Sequence, residues 1–126
     1  MAERQVIKGS PGAYDNFHFA AAAWAGDTLH CAGIIGAKGG KVPEAFEEEA
    51  RLAWSAAGEM LKEAGLDYEN IVEYTTFHVG LQATMGTFMK VRDEFVSEPW
   101  PAWTAIGCTE LALPGGRLEL RITAAR

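Results

Sequence analysis

The sequence is poor in the features that mark several common protein classes. Only two of the 126 residues are cysteines, Cys31 and Cys108, and their spacing forms no disulfide framework. No apolar run reaches the roughly 18 residues that a membrane span needs, and the N-terminus does not resemble a signal peptide. We therefore expect a reduced, cytoplasmic protein without a membrane segment, forming one domain over residues 1–126.

Positive charge is also scarce, with 11 Lys and Arg against 17 Asp and Glu and a net charge of −6. Nucleic-acid binding needs a basic surface to neutralise phosphates, so no nucleic-acid partner is expected. The three histidines match no metal-ligand spacing, and neither cysteine lies in a pattern typical of a reactive thiol. We expect no metal and no cofactor.

Two helices are predicted in the middle of the chain. The first has an apolar face, could start with Pro43 at its first position, and ends at Gly65. Its apolar positions recur at helical spacing: Phe46, Ala50, Ala53, Ala57, Met60 and Ala64. The second is predicted to begin at a Thr84 cap and to end before Pro101, with Phe88, Val91 and Phe95 on one face.

Strands are predicted on both sides of these helices. A Gly26-Asp27 turn is typical of a tight hairpin and would pair Trp24 with Leu29 and Ala22 with Cys31. Continued towards the N-terminus, this register places His18, Cys31 and Gly33 on one face. The segment 71–79 is rich in β-branched and aromatic residues and also predicts a strand.

The C-terminal stretch predicts two more strands, joined across the turn Leu113-Pro114-Gly115-Gly116. In the last strand Leu118, Leu120 and Ile122 alternate with the polar residues Arg117, Glu119, Arg121 and Thr123. The leucine face should pack on the core, and the charged face should meet water or a partner subunit. The order of elements predicts an α+β fold with two helices on one face of a mixed sheet.

Several segments together resemble the Rid family of YjgF-like proteins. They include Pro101-Ala102, Leu113-Pro114-Gly115, Leu118-Glu119-Leu120 and the strand from Cys31 to Ile35. The resemblance implies a chorismate-mutase-like fold and a homotrimer, in which three sheets line a central barrel and a cleft lies at each subunit interface. It also implies a small-molecule ligand in that cleft.

Rid deaminases hydrolyse an enamine or imine to a ketone and ammonia. The resemblance implies that Glu119 is the catalytic acid–base group and that the Gly33 backbone helps to orient water and substrate. It puts Trp103 where the family has a carboxylate-binding arginine, and Phe17 where the family has a tyrosine. The positions implied to contact substrate are Trp103, Gly33, Phe17, His18, Thr104, Ala105, Met89 and Arg121.

Each of these assignments has a structural alternative. Trp103 either stacks on substrate or fills an interface core. Glu119 is either the catalyst or one half of a salt bridge. Arg121 is either a relocated anion anchor or, the favoured interpretation, part of a structural ion pair. The sequence thus predicts a hydrolase of an imine, an enamine or a related C–N bond with a bulkier substrate; the alternative is a non-catalytic ligand-binding trimer, and an endoribonuclease is disfavoured by the acidic balance.

Overall fold

The computed structural model describes residues 4–126. These residues form seven strands, three α-helices and one 3-10 turn. The strands are β1 (Val6–Ile7), β2 (Ala22–Ala25), β3 (Thr28–Cys31), β4 (Ile34–Ile35), β5 (Ile71–Val79), β6 (Ala102–Cys108) and β7 (Leu118–Ala125). The helices are α1 (Pro11–Phe17), α2 (Phe46–Glu63) and α3 (Leu81–Arg92), and the 3-10 turn covers Tyr68–Asn70. None of the helices within 4–126 is long and apolar enough to cross a membrane.

The strands form one mixed sheet in the order β1-β2-β3-β7-β5-β6, with β4 also paired to β7. β5 and β6 run parallel, whereas β5 and β7 run antiparallel. The two C-terminal strands are present as predicted, but β5 lies between them, so the turn at residues 113–116 does not join neighbours. Their alternation predicts which side chains are buried and carries no information about which strand lies beside them.

The predicted core is confirmed. Leu118, Leu120 and Ile122 are buried beneath α2, and the hairpin pairs Trp24 with Leu29 and Ala22 with Cys31. Helix α2 buries its alanine face, which lets the helix lie close to the sheet. Helices α2 and α3 pack together through aromatic rings, with the Trp54 and Phe88 centroids 6.1 Å apart.

The helix starts differ from the prediction. Helix α2 begins at Phe46 after an Ala45 cap rather than at Pro43, and α3 begins at Leu81 after Gly80 rather than at Thr84. The Thr84 hydroxyl instead donates within the first turn to the Gly80 carbonyl. The short helix α1 was not predicted, so the described chain has three helices instead of two.

A buried ion pair fixes the start of β7 to helix α2. The fully buried Glu49 carboxylate accepts hydrogen bonds from the Arg117 backbone N–H at 2.7 Å and from its Nε at 2.7 Å. Glu49 also accepts from the Leu118 N–H at 3.2 Å. Arg117 therefore lies against the helix layer, and its predicted place on the charged strand face is wrong.

Candidate functional site

A β-bulge between β3 and β4 reverses the side-chain alternation as the chain passes along β7. His30 pairs with Thr123 and Ile34 pairs with Leu120, so three residues, 31–33, oppose two, 121–122. Cys31 consequently points into the core, whereas Gly33 faces the side of the sheet away from α2 and α3, which we call the open face. The predicted common face of His18, Cys31 and Gly33 is wrong because the bulge separates the latter two.

On the open face the Glu119 side chain lies directly against Gly33. A Cβ atom added to Gly33 would meet the Glu119 side chain at 2.4–2.8 Å, closer than such atoms approach in proteins. A glycine at this bulge therefore allows the carboxylate to approach the main chain. Glu119 is half-buried and forms no salt bridge or side-chain hydrogen bond within residues 4–126. Its oxygens are thus available to a ligand.

Arg121 and Thr104 share the open face with Glu119. Both lie beside Thr75 in the sheet, Arg121 through β7 and Thr104 through β6. Arg121 is exposed and forms no ion pair within the described part of the chain, so the favoured prediction of a structural ion pair is wrong there. A free cation therefore lies two residues along β7 from the Glu119 carboxylate.

Trp103 lies on the opposite face of the sheet, under the helices. Its Nε1–H donates to the Thr76 hydroxyl at 2.9 Å, and its ring lies 5.4 Å from Phe88 and 5.9 Å from Tyr74. Ala105 shares this face through its pairing with Thr76. Trp103 therefore does not contact Glu119 or Gly33 within one chain.

The Thr76 hydroxyl connects Trp103 to a buried histidine. His78 Nε2 lies 2.8 Å from Thr76 Oγ1, and His78 Nδ1 lies 2.9 Å from Thr84 Oγ1. Thr84 donates onward to a backbone carbonyl, so it accepts from His78 Nδ1–H, and Thr76 donates to Nε2. With His78 in this neutral tautomer, every donor and acceptor from Trp103 Nε1 to the Gly80 carbonyl has a hydrogen-bond partner. Burial accordingly lowers the pKa of His78.

The other predicted contact residues lie apart from Glu119 on the chain. Phe17 ends helix α1 with 76% of its surface exposed, and His18 follows it as the C-cap in a left-handed conformation, with φ of 60°. His18 therefore lies outside the strand that the sequence predicted for it. Met89 lies on α3 and is exposed. Whether these residues contact substrate stays a prediction.

A cavity of about 270 Å³ opens beside Trp103 on the helix face. Its walls are formed by Tyr74, Arg92, Trp100, Pro101 and Trp103. The guanidinium carbon of Arg92 lies 5.4 Å from the Trp103 ring and 5.8 Å from the Trp100 ring. Sequence reasoning missed Arg92, because nothing in the sequence shows that Trp100 and Trp103 pack against the last turn of α3.

Thiol and metal chemistry have little support in the described residues. Burial raises the pKa of Cys31 to about 12, opposed by the charge of Arg121, so the thiol stays protonated at neutral pH. Within residues 4–126 no three histidine, cysteine or carboxylate side chains are grouped as a metal site. The acid–base group that lies against Gly33 on the open face is the Glu119 carboxylate.

Comparison with known proteins identifies the family. The sequence model described as endoribonuclease L-PSP matches residues 10–126. The chain is 32% identical over 128 residues to the RutC family protein YjgH of Escherichia coli strain K12, covering 98% of this chain and 96% of YjgH. It is 36% identical over 104 residues to 2-iminobutanoate/2-iminopropanoate deaminase of Bos taurus, covering 77% and 72%. A solved structure of YjgH matches with a TM-score of 0.86 at 30% identity, covering 98% of this chain and 97% of that one. The protein therefore belongs to the endoribonuclease L-PSP family of Rid or YjgF-like proteins, with their chorismate-mutase-like α+β fold.

Proposed function

We propose that this protein hydrolyses the C=N bond of an imine, or of the enamine in equilibrium with it. The observation that carries the proposal is the Glu119 carboxylate, held against the glycine bulge at Gly33 without an ion-pair partner in the described chain. The relationship to an iminobutanoate/iminopropanoate deaminase supports the same reaction class.

The reaction needs a group that moves protons between water and nitrogen. Water adds to the carbon of the protonated imine while Glu119 accepts one of the water protons, giving a neutral tetrahedral carbinolamine. Glu119 then returns that proton to the nitrogen and takes up the hydroxyl proton as the C–N bond breaks. The carbonyl compound and ammonia leave, and ammonia carries away the last proton from Glu119 as ammonium. Proton transfer by one positioned carboxylate contributes about 10²–10⁴-fold in rate. In this proposal the Gly33 main chain, which lies against Glu119, orients the water.

We further propose that the complete site forms between copies in a homotrimer. Glu119 and Gly33 occupy the open face of one chain, whereas Trp103 lies on edge strand β6 under the helices. An edge strand can approach the open face of a neighbouring copy, which would bring the two groups together. Ala105 and Met89 would line the Trp103 side of that cleft, Thr104 would lie on the open face of the same strand, and Phe17 and His18 would lie at the rim.

The proposed substrate is bulkier than a simple imino acid. By its resemblance to the Rid deaminases, Trp103 stands where those enzymes have the arginine that binds the substrate carboxylate. Losing such a charge-assisted pair removes roughly 1.5–3 kcal/mol, or about 10- to 100-fold in affinity. Recognition should therefore depend less on a carboxylate beside the reacting bond and more on contact with the indole ring.

The test generates imines in place with an amino-acid oxidase and follows their hydrolysis. We expect weak or no acceleration with imines of small amino acids, and acceleration with imines that carry a ring. Glu119→Gln should abolish that acceleration. The control is Glu73→Gln, which removes another carboxylate of the same face that is bonded only to the Thr123 hydroxyl.

Two results would contradict the proposal. Equal activity of Glu119→Gln and the unchanged protein would remove Glu119 from the mechanism. No acceleration with any imine, together with a metabolite that co-purifies with the protein, would favour the ligand-binding alternative. Cleavage of RNA is not expected, because a net charge of −6 opposes binding of a polyanion.

A further inference from the structure

The cavity beside Trp103 combines one cation with three aromatic side chains. The Arg92 side chain is 19% exposed, and its guanidinium lies beside the rings of Trp103 and Trp100. Asp93 Oδ1 lies 3.0 Å from both Nε and Nη2 of Arg92. A guanidinium has five N–H donors in a planar fork, so Asp93 takes two and leaves the others for further partners.

Tyr74 supplies a second polar group next to this guanidinium. Burial raises the pKa of Tyr74, although a hydrogen bond from Arg92 and the Arg92 charge oppose that rise, and the phenol remains protonated at neutral pH. Its hydroxyl can therefore donate a hydrogen bond to an anion that Arg92 binds. Tyr74 itself is buried, with 3% of its surface exposed, which fixes the position of this donor.

The cavity wall also retains exposed apolar surface. Trp100 has 56% of its surface exposed, although it borders a cavity that Trp103 and Pro101 also line. A purely structural role for Arg92, covering the Trp103 ring, would not require a second, largely exposed indole 5.8 Å from its guanidinium. The volume of about 270 Å³ lies just below the 300–1,000 Å³ typical of pockets for drug-sized ligands. The space thus suits a ligand with a single ring.

We propose that this cavity binds a single-ring aromatic carboxylate, with the carboxylate on Arg92 and the Tyr74 hydroxyl and the ring against Trp100 and Trp103. Guanidinium is the side-chain group that best matches a planar carboxylate, and tryptophan offers the largest stacking surface. This inference names the ligand class on the Trp103 side of the proposed site, and it rests on the proposed function only for its link to turnover.

The experiment is calorimetric titration of the full chain with benzoate and with its neutral isostere benzamide. We expect benzoate to bind at least tenfold more tightly than benzamide. Arg92→Met, which keeps a long side chain over the indole, should weaken benzoate binding roughly 10- to 100-fold and leave benzamide unchanged. The benzoate affinity of Arg92→Lys should lie between that of the unchanged protein and that of Arg92→Met. Arg51→Met is the matched control, because Arg51 pairs with Glu94 on the surface and lies outside this cavity.

The comparison of benzoate with benzamide needs no variant, so it decides the proposal even if Arg92→Met folds poorly. Equal binding of the two compounds, no saturable benzoate binding, or full benzoate affinity in Arg92→Met would each overturn it. Benzoate binding without hydrolysis of any ring-bearing imine would retain this inference and refute the proposed function. Hydrolysis of a ring-bearing imine without benzoate binding would refute this inference and retain the proposed function.

Discussion

Replacing Trp103 tests whether this ring stabilises the fold, forms the site, or does both. The ring packs on Phe88 and Tyr74 at 5.4 and 5.9 Å, and its Nε1–H is bonded to the fully buried Thr76 hydroxyl. Trp103→Ala removes both the packing and the hydrogen bond. Trp103→Phe keeps much of the packing and removes only the N–H donor.

The structure sets the expected magnitudes. Truncating a fully buried tryptophan to alanine costs about 3–5 kcal/mol. Because Trp103 is only half-buried, we expect about 2–3 kcal/mol for Trp103→Ala. Trp103→Phe should cost about 1 kcal/mol, since Thr76 retains its bond to His78. Trp100→Ala is the control, and its exposed ring should contribute about 1 kcal/mol or less.

Urea unfolding at one fixed protein concentration measures these differences, because the stability of an oligomer depends on concentration. Native mass spectrometry of the same samples reports whether the proposed homotrimer is present and whether it persists in the variants. A change below about 0.5 kcal/mol for Trp103→Ala would show that the ring does not pack as described. Dissociation of the subunits without any loss of ligand binding would make Trp103 an interface residue and refute its role in the site.

Three further outcomes are expected. Native mass spectrometry at micromolar concentration should show a homotrimer, and a predominant monomer would refute the proposed site between copies. The free energy of unfolding should fall as the pH drops from about 6.5, the unfolded pKa of histidine, towards the lower folded pKa of His78, because the unfolded chain binds the proton first. His78→Gln should remove that slope between pH 5 and 7, measured by urea titration, whereas a slope that persists would assign it to another group. Glu49→Gln should cost about 2–4 kcal/mol, since two buried backbone N–H groups lose a charged acceptor, and Glu47→Gln at an exposed site should be nearly neutral in the same measurement.

Local sequence patterns were sufficient to predict most of the fold. The alternation of Leu118, Leu120 and Ile122 predicted their burial, and the Gly26-Asp27 turn predicted the hairpin register because loop length fixes pairing. Strand order was not predictable in the same way. β5 enters between β6 and β7 through long-range pairing, which leaves no periodic signal in either strand.

The candidate site was less predictable, for a definite physical reason. One extra residue between β3 and β4 reverses which face of the sheet the following side chains point to. The two-residue alternation of a strand sequence does not show where such a bulge lies. The proximity of Gly33 to Glu119 was implied by family resemblance alone. Arg92 and Trp103 meet through tertiary packing of α3 on β6, so spacing along the chain could not predict their contact.

The two faces of the sheet limit what a single chain can do. Glu119 and Trp103 lie on opposite faces of one continuous sheet. The backbone of the sheet separates the two side chains, so they cannot both contact one ligand that lies on a single face. A ligand that contacts both must therefore lie at an edge of the sheet, next to another copy. β6 is such an edge, and it carries Trp103.

If one compound proves to contact Trp103 and to require Glu119 for its hydrolysis, then the two residues must come from different subunits. Mixing Trp103→Ala chains with Glu119→Gln chains should then restore activity in the mixed oligomers, which contain clefts with neither substitution. Failure to restore it, with subunit exchange verified by mass, would place both residues of the working site in one chain and refute the intersubunit arrangement.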